Sequence, residues 1–323
     1  MRYQVSPVHE KETVTLVSVY AEVIKKIMAE DRDVVQIEAD LGACLLGGPD
    51  GVWSLPEGQI FDVGIQEANM VGVACGMSCV GKKPFVHSFA PFIARRANDV
   101  IAISGCYNRA NVKMIGTDPG VFNANCGGTH TCYEDIGALR SIHNLTILDI
   151  ADSSMLRDLL PKLAQSYGMY YIRMGRKNVE KIYETGSVFE IGKANLIQDG
   201  GDVTIIASGG MLGESLRAAE LLKGDGISAR VVDMFTIKPI DEEMIVKCAE
   251  ETGAIVTVDN HNVLGGLGSA VCDVVCEKYP VPVERIGLRD KFAEVGTVDS
   301  LKQTFHMTSM DIASAAKLAM SRK

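Results

Sequence analysis

Apolar and polar residues alternate along this chain in blocks of two kinds. Short, nearly continuous apolar runs such as Val34–Ala39, Pro84–Phe89, Val112–Thr117 and Leu145–Ile150 are bounded by polar residues or glycine. Between them lie longer segments whose apolar positions recur three and four apart. The first pattern predicts strands buried on both faces and the second predicts helices. Their alternation predicts a parallel, doubly wound α/β sheet. Expected helices are Thr13–Glu30, Gln66–Val80, Phe92–Cys106, Glu134–Ser141 and Ser153–Tyr167, with further strands at Ile60–Gly64 and Tyr170–Met174.

The polar run from Arg176 to Ser187 interrupts this rhythm, which then starts again. Strands are expected at Val203–Ala207, Ala229–Met234, Ala254–Asp259 and Val283–Gly287, and helices at Leu212–Leu222, Asp241–Glu250 and Leu267–Cys276. Two α/β domains follow: a first at 1–176, a linker at 177–188 and a second at 189–323. Gly224-Asp225-Gly226 reads as a turn between a helix and a strand.

Composition narrows the function. With 47% hydrophobic residues in 323, the chain has ample apolar mass for packed cores, which excludes a disordered class. Aromatics are only 6%, so the cores are built mainly from aliphatic side chains and Met. A net charge of −9 disfavours duplex nucleic acid and anionic membranes as partners. Nine scattered cysteines form no disulfide framework; the pairs Cys75/Cys79 and Cys272/Cys276 sit in apolar helical patterns as small hydrophobes. The N-terminus carries no apolar signal region, and the expectation is a reduced, cytoplasmic protein.

Ligands of open α/β sheets gather at the carboxyl ends of strands. Four loops of the first domain there carry unusual polar residues: Asp40–Gly48, Gly64–Asn69, His87–Arg95 and Asp118–His130. Glu67 opens an otherwise apolar helix, either as charge placed on the helix dipole or as a partly buried acid able to move a proton. Phe89 and Phe92 are either core or a stacking face for a flat heterocycle. The segment Gly116–His130 holds five Gly or Asn between Gly120 and Gly128, a composition that brings bare backbone to ligands. His130 closes it, as a structural histidine or a substrate contact. Arg173 sits at the carboxyl end of its strand, where a substrate phosphate and a structural carboxylate are equal candidates as partner. His261 and its neighbouring glycines read as structural.

Together, Glu38-Ala-Asp-Leu-Gly42, Gly64-Ile-Gln-Glu-Ala68, Ser88-Phe-Ala-Pro-Phe92, Gly128-Thr-His130 with Glu134-Asp-Ile136, and Ile172-Arg173 resemble the C-terminal half of transketolase, in that family's order and spacing. Asp259-Asn-His-Asn-Val-Leu-Gly-Gly-Leu-Gly-Ser-Ala270 resembles the C-terminal domain of transketolases and deoxyxylulose phosphate synthases. The resemblance covers nearly the whole chain. It implies a pyrimidine-binding domain followed by a transketolase C-terminal domain, with thiamine diphosphate as cofactor and transfer of a two-carbon ketol unit as reaction.

The resemblance also assigns roles. Glu67 would hydrogen-bond the N1′ nitrogen of the aminopyrimidine and favour its imino tautomer, whose exocyclic nitrogen takes the thiazolium proton. Phe92 would stack on that ring with Phe89 beside it, and Asp40 with Leu41 would line the thiazolium side. His130 would contact the donor ketose and stabilise developing oxyanion charge. Arg173 would hold the sugar phosphate.

The diphosphate and its divalent metal (magnesium) are bound in the family through a Gly-Asp-Gly…Asn motif of the N-terminal half, which this sequence does not contain. A separate N-terminal subunit in a two-plus-two assembly is therefore implied, and this chain alone should be inactive. Two positions depart from the family pattern: Cys126 replaces an Asp that reads donor hydroxyls, and Asp118 replaces a His near the acceptor phosphate. An anionic Asp118 would repel a phosphate. A pyruvate-using acyloin synthase and a non-catalytic regulatory subunit are the alternatives, although Pro119 lacks the Arg expected of a deoxyxylulose phosphate synthase. Gly72 and Gly76, four apart on one helix, are expected near a subunit contact.

Overall fold

The computed structural model describes residues 3–46, 55–292 and 294–323. The chain divides into two compact units, Met1–Pro119 with Ala138–Phe189, and Gly120–Gly137 with Glu190–Lys323. Both are α/β, as the alternation predicts.

In the first unit, β1 (Val34–Glu38), β2 (Ile60–Asp62), β3 (Lys83–Phe89), β4 (Val112–Thr117), β5 (Leu145–Asp149) and β6 (Met169–Met174) run in the order β5-β6-β4-β3-β1-β2. All five pairings among them are parallel. Every residue of β1 and β4 is buried, which is why these strands read as continuous apolar runs. The opening helix, Leu16–Glu30, buries Leu16, Val19, Tyr20, Val23, Ile24, Ile27 and Met28, a stripe at three- and four-residue spacing. The Thr15 side chain caps it by accepting from the Ser18 N–H at 3.2 Å.

The expected long helix Phe92–Cys106 is broken. The chain forms Ala90–Arg96, a short turn at Asn98–Val100, and a π-helical segment at Ile101–Tyr107. Asn98 Nδ2 donates to the Ala94 carbonyl at 3.3 Å, competing for an acceptor that a continuous helix would use.

The expected linker at 177–188 is instead part of the first unit. Val5 pairs with Tyr183 and Lys11 with Glu180 in isolated bridges. Tyr183 is fully buried, edge-on to Phe189 at 4.7 Å. Asp152 fastens the segment: Oδ1 caps the helix Ser153–Gln165 through the Met155 N–H, and Oδ2 accepts the Ile182 and Tyr183 N–H groups at 2.9 and 2.7 Å. The apolar side chains Ile182 and Tyr183 lie within a polar stretch, and their burial decides where it packs.

The second unit holds β7 (Asn195–Gln198), β8 (Val203–Ala207), β9 (Ala229–Asp233), β10 (Thr236–Lys238), β11 (Ile255–Asn262) and β12 (Val283–Leu288). Its sheet has the order β12-β11-β8-β9-β7, parallel except for β7, which pairs antiparallel with β9. Two helices absent from the sequence reading close the chain, Val298–Thr304 and Ser309–Met320, each started by a capping box.

The domain boundary at 176 misses one exchange. Residues 120–137 leave the first unit and pack with the second. There Asn260 Oδ1 accepts the Val121 N–H at 2.9 Å, and the Tyr133 carbonyl accepts the Asn262 N–H at 2.6 Å. Gly120 has φ +56°, and a Cβ there would collide with the Asn260 side chain, so this entry point requires glycine.

Candidate functional site

The parallel register puts the carboxyl ends of β1, β2, β3, β4 and β6 along one edge: Glu38 pairs with Asp62 and His87, and Thr117 with Phe89 and Met174. The segments leaving this edge carry most of the residues singled out above.

Glu67 is the first residue of the helix Glu67–Cys79, so its carboxylate lies where the helix dipole favours negative charge. It is also buried, at 1% exposure. Ser88 Oγ donates to Oε1 at 3.1 Å and Arg96 Nη1 donates to Oε2 at 2.8 Å. Glu67 is therefore both placed at the start of its helix and buried. Phe89 ends β3 and is buried, whereas Phe92, on the next helix, is half-buried; their ring centroids are 6.0 Å apart and their planes inclined at 47°. The Arg96 guanidinium lies 4.1 Å from the Phe92 centroid and that of Arg176 lies 4.7 Å from the Phe89 centroid. Both oxygens of the buried carboxylate are thus engaged, and each ring carries a guanidinium, with Arg96 joining Glu67 to Phe92.

Asp40 follows β1, exposed and with φ +61°, its N–H donating to Asp62 Oδ1 at 3.1 Å. Leu41 is half-buried and precedes the short helix Gly42–Leu45. The end of the expected Asp40–Gly48 loop, Gly47 and Gly48, lies outside the described residues.

Two expected substrate contacts have charged partners within the first unit. Arg173 is fully buried and Nη1 donates to Asp149 Oδ2 at 2.9 Å. Its charge is met inside the unit by Asp149 on the adjacent strand, the structural alternative to the phosphate role. Asp118 is buried with φ +51°, and does not present a bare anion. It accepts the backbone N–H of Arg176 at 2.7 Å and Arg176 Nε at 2.6 Å. The pairing neutralises the repulsion expected of Asp118 and holds a guanidinium over Phe89.

His130 and Cys126 belong to the 120–137 segment of the second unit. His130 is half-buried, with Nδ1 2.8 Å from Thr129 Oγ1, and its carbonyl accepts from Asn123 Nδ2. Cys126 is exposed. His261 is fully buried: Nδ1 lies 2.7 Å from the Asn262 carbonyl and Nε2 accepts the Gly137 N–H at 3.1 Å. Those contacts make Nδ1 the donor and Nε2 the acceptor of a neutral ring.

The sequence reading missed a buried polar chain behind the edge. Tyr20 Oη donates to Gln36 Oε1 at 2.7 Å, and Gln36 Nε2 donates to Glu38 Oε1 at 2.7 Å. His87 Nδ1 lies 2.7 Å from Glu38 Oε2, and His87 Nε2 lies 3.0 Å from Thr117 Oγ1. Burial first, then the Glu38 charge, pushes the Tyr20 hydroxyl well above its ordinary pKa, against the Gln36 hydrogen bond. Gln36 and Glu38, two apart in an apolar strand, were the available signal, since alternate positions share a face.

Residues 12–181 match the transketolase pyrimidine binding domain, and residues 192–312 match the transketolase C-terminal domain. The chain belongs to the transketolase family. It is 42% identical over 304 residues to the 6-deoxy-6-sulfo-D-fructose transketolase subunit SqwH of Clostridium sp. (strain MSTE9), covering 94% of each. It is 37% identical to an apulose-4-phosphate transketolase subunit of Phocaeicola vulgatus, over 84% of this chain and 86% of that one. Among solved structures it superposes on a split gene transketolase described as an inactive beta4 tetramer, with a TM-score of 0.88 and 38% identity over 96% of this chain and 99% of the other.

The transketolase family implies thiamine diphosphate. A buried Glu67 carboxylate, linked through Arg96 to the Phe92 ring, fits an aminopyrimidine, which needs a carboxyl partner for a ring nitrogen and an apolar face to lie on. Among the described residues, no three His, Cys, Asp or Glu side chains group to hold a metal ion, and no helix is long and apolar enough to cross a membrane.

Proposed function

We propose that this chain is the C-terminal subunit of a split transketolase, transferring a two-carbon ketol unit from an anionic ketose to an aldose phosphate. It works only with an N-terminal-type subunit that binds the diphosphate and magnesium, in a two-plus-two assembly. The observation that carries this reading is the buried Glu67 carboxylate, joined to Ser88 beside Phe89 and through Arg96 to the Phe92 ring, at the carboxyl edge of a parallel sheet. The names of two relatives, one a subunit for a sulfonated ketose and one for a phosphorylated ketose, support the anionic donor. The description of a split gene relative as an inactive beta4 tetramer supports the dependence on a partner.

Thiamine diphosphate, when bound, supplies the carbanion-stabilising chemistry. Glu67 would share a proton with the ring nitrogen N1′ and so favour the reactive tautomer, with Ser88 orienting the carboxylate through Oε1. Phe92 and Phe89 would hold the ring and exclude water beside it. Asp40 and Leu41 would line the thiazolium side. His130 donates to the oxygen that gains charge on the donor ketose, and Cys126 lies four residues before it, beside the donor hydroxyls. The helix Glu67–Cys79 leaves Gly76 facing open space and Val80 78% exposed, which suits the subunit contact expected at Gly72 and Gly76. Nine free cysteines suit a reducing cytoplasm.

The test is reconstitution with the N-terminal-type subunit, thiamine diphosphate and magnesium, assayed for ketol transfer from 6-deoxy-6-sulfo-D-fructose and from fructose 6-phosphate. Wild-type chain with partner is expected to turn over, and Glu67→Ala to lose at least about a hundredfold in kcat with little change in donor KM. Turnover that survives Glu67→Ala overturns the reading.

A further inference from the structure

Arg96 has two partners, and they are the two surfaces that the proposed function gives to the aminopyrimidine ring. Its Nη1 donates to Glu67 Oε2 at 2.8 Å, and its guanidinium lies over the Phe92 ring at 4.1 Å from the centroid. A guanidinium is planar, stacks on aromatic faces and presents N–H donors along an edge. An aminopyrimidine is likewise planar, with its nitrogen groups on an edge.

We propose that Arg96 is an internal stand-in for the cofactor's pyrimidine: without cofactor it occupies Glu67 and Phe92, and it swings away when the ring takes both contacts. The inference rests on the reading of Glu67 and Phe92 in the proposed function. The local structure permits such an exchange. Arg96 is the last residue of the helix Ala90–Arg96, four positions after Phe92, so the two share a helix face. Its side chain is 48% exposed, against 1% for Glu67, so the guanidinium already has a route into water. Ser88 holds the other carboxylate oxygen, and Glu67 therefore keeps its orientation while its second partner changes.

The two compete for space rather than for a lone pair, since a carboxylate oxygen can accept from more than one donor. A guanidinium lying over Phe92 while bonded to Oε2 fills the volume in which a planar ring would make the same two contacts. The arginine thus acts as a built-in competitor that satisfies a buried carboxylate in the empty subunit and lowers apparent cofactor affinity. If it holds the site in roughly nine molecules of ten, the apparent Kd is about tenfold weaker than the intrinsic one.

The experiment is calorimetric titration of thiamine diphosphate, with magnesium, into the complex of this chain and its N-terminal-type partner. Arg96→Gln keeps an N–H donor for Glu67 but removes the cation and the stacking plane. It is expected to tighten Kd about five- to tenfold. That gain is expected to vanish in a Glu67→Gln background, where the competitor has lost its charged anchor. An equal or weaker Kd for Arg96→Gln, or a gain that persists with Glu67→Gln, overturns the inference while leaving the proposed function standing. A wild-type complex that binds no cofactor overturns both. Should Arg96→Gln fail to fold, Arg96→Lys, which keeps the charge but loses the flat face over Phe92, is judged by the same criterion.

Discussion

Arg173 offers a direct contest between a structural and a substrate role. Its guanidinium is fully buried, 2.9 Å from an Asp149 side chain that is itself only 7% exposed. At an effective dielectric near 20, two unit charges ~3–4 Å apart attract by roughly 4–6 kcal/mol, which offsets the cost of removing both from water. Asp149→Asn removes one charge and strands the other, so the chain is expected to lose ~3–5 kcal/mol of stability. For a unit of this size that corresponds to a fall in Tm of roughly 10 °C. Arg173→Met is expected to destabilise comparably, because it strands Asp149, and the pair Arg173→Met with Asp149→Leu to recover most of the loss. Urea unfolding followed by circular dichroism measures each variant. The reasoning is refuted if Arg173→Met leaves the unfolding midpoint unchanged while raising the KM for an anionic ketose tenfold, since that pattern belongs to a substrate contact.

Asp152→Ala removes a helix cap and leaves the Ile182 and Tyr183 N–H groups unpaired, so a loss of ~3–5 kcal/mol and faster proteolysis within 177–188 are expected by urea unfolding and timed trypsin digestion. Lys113 is fully buried, and burial, with Lys83 adding to it, pushes its ammonium down to about 7. The unfolded chain keeps that proton to about pH 10.5, so stability rises with pH between about 7 and 10. The upper limit is ~5 kcal/mol, lowered because Asn111 Oδ1 and the Ser166 carbonyl favour the charged form. Urea midpoints across that range should slope upward relative to Lys113→Met; parallel curves contradict this. Glu67→Ala is expected to abolish turnover in the reconstituted enzyme without lowering the yield of folded chain.

The strands were legible in the sequence wherever burial on both faces made them continuous apolar runs, as in Pro84–Phe89 and Val112–Thr117. The helix break at Ala97 was not, because Asn98 is compatible with a helix until its side chain takes the Ala94 carbonyl. The 177–188 segment misled through its composition: Val179, Ile182 and Tyr183 are outnumbered by polar neighbours, yet their burial decides where the segment packs. Glu67, Phe89 and Phe92 sit where the sequence placed them, at the start of a helix, the end of a strand and on the helix that follows it. Asp149 as the partner of Arg173, Arg176 as the partner of Asp118, and Arg96 as the partner of Glu67 depend on which strands and turns become neighbours, and no local pattern encodes that.

The detour of residues 120–137 governs how this polypeptide can be made and taken apart. Val121 finds its partner in Asn260, 139 residues further on, so during synthesis the detour leaves the ribosome long before the sheet that receives it exists. Liberating either half would require scission at three places, near 119, 137 and 189, and a fragment begun at 190 would lack a piece of its own interior.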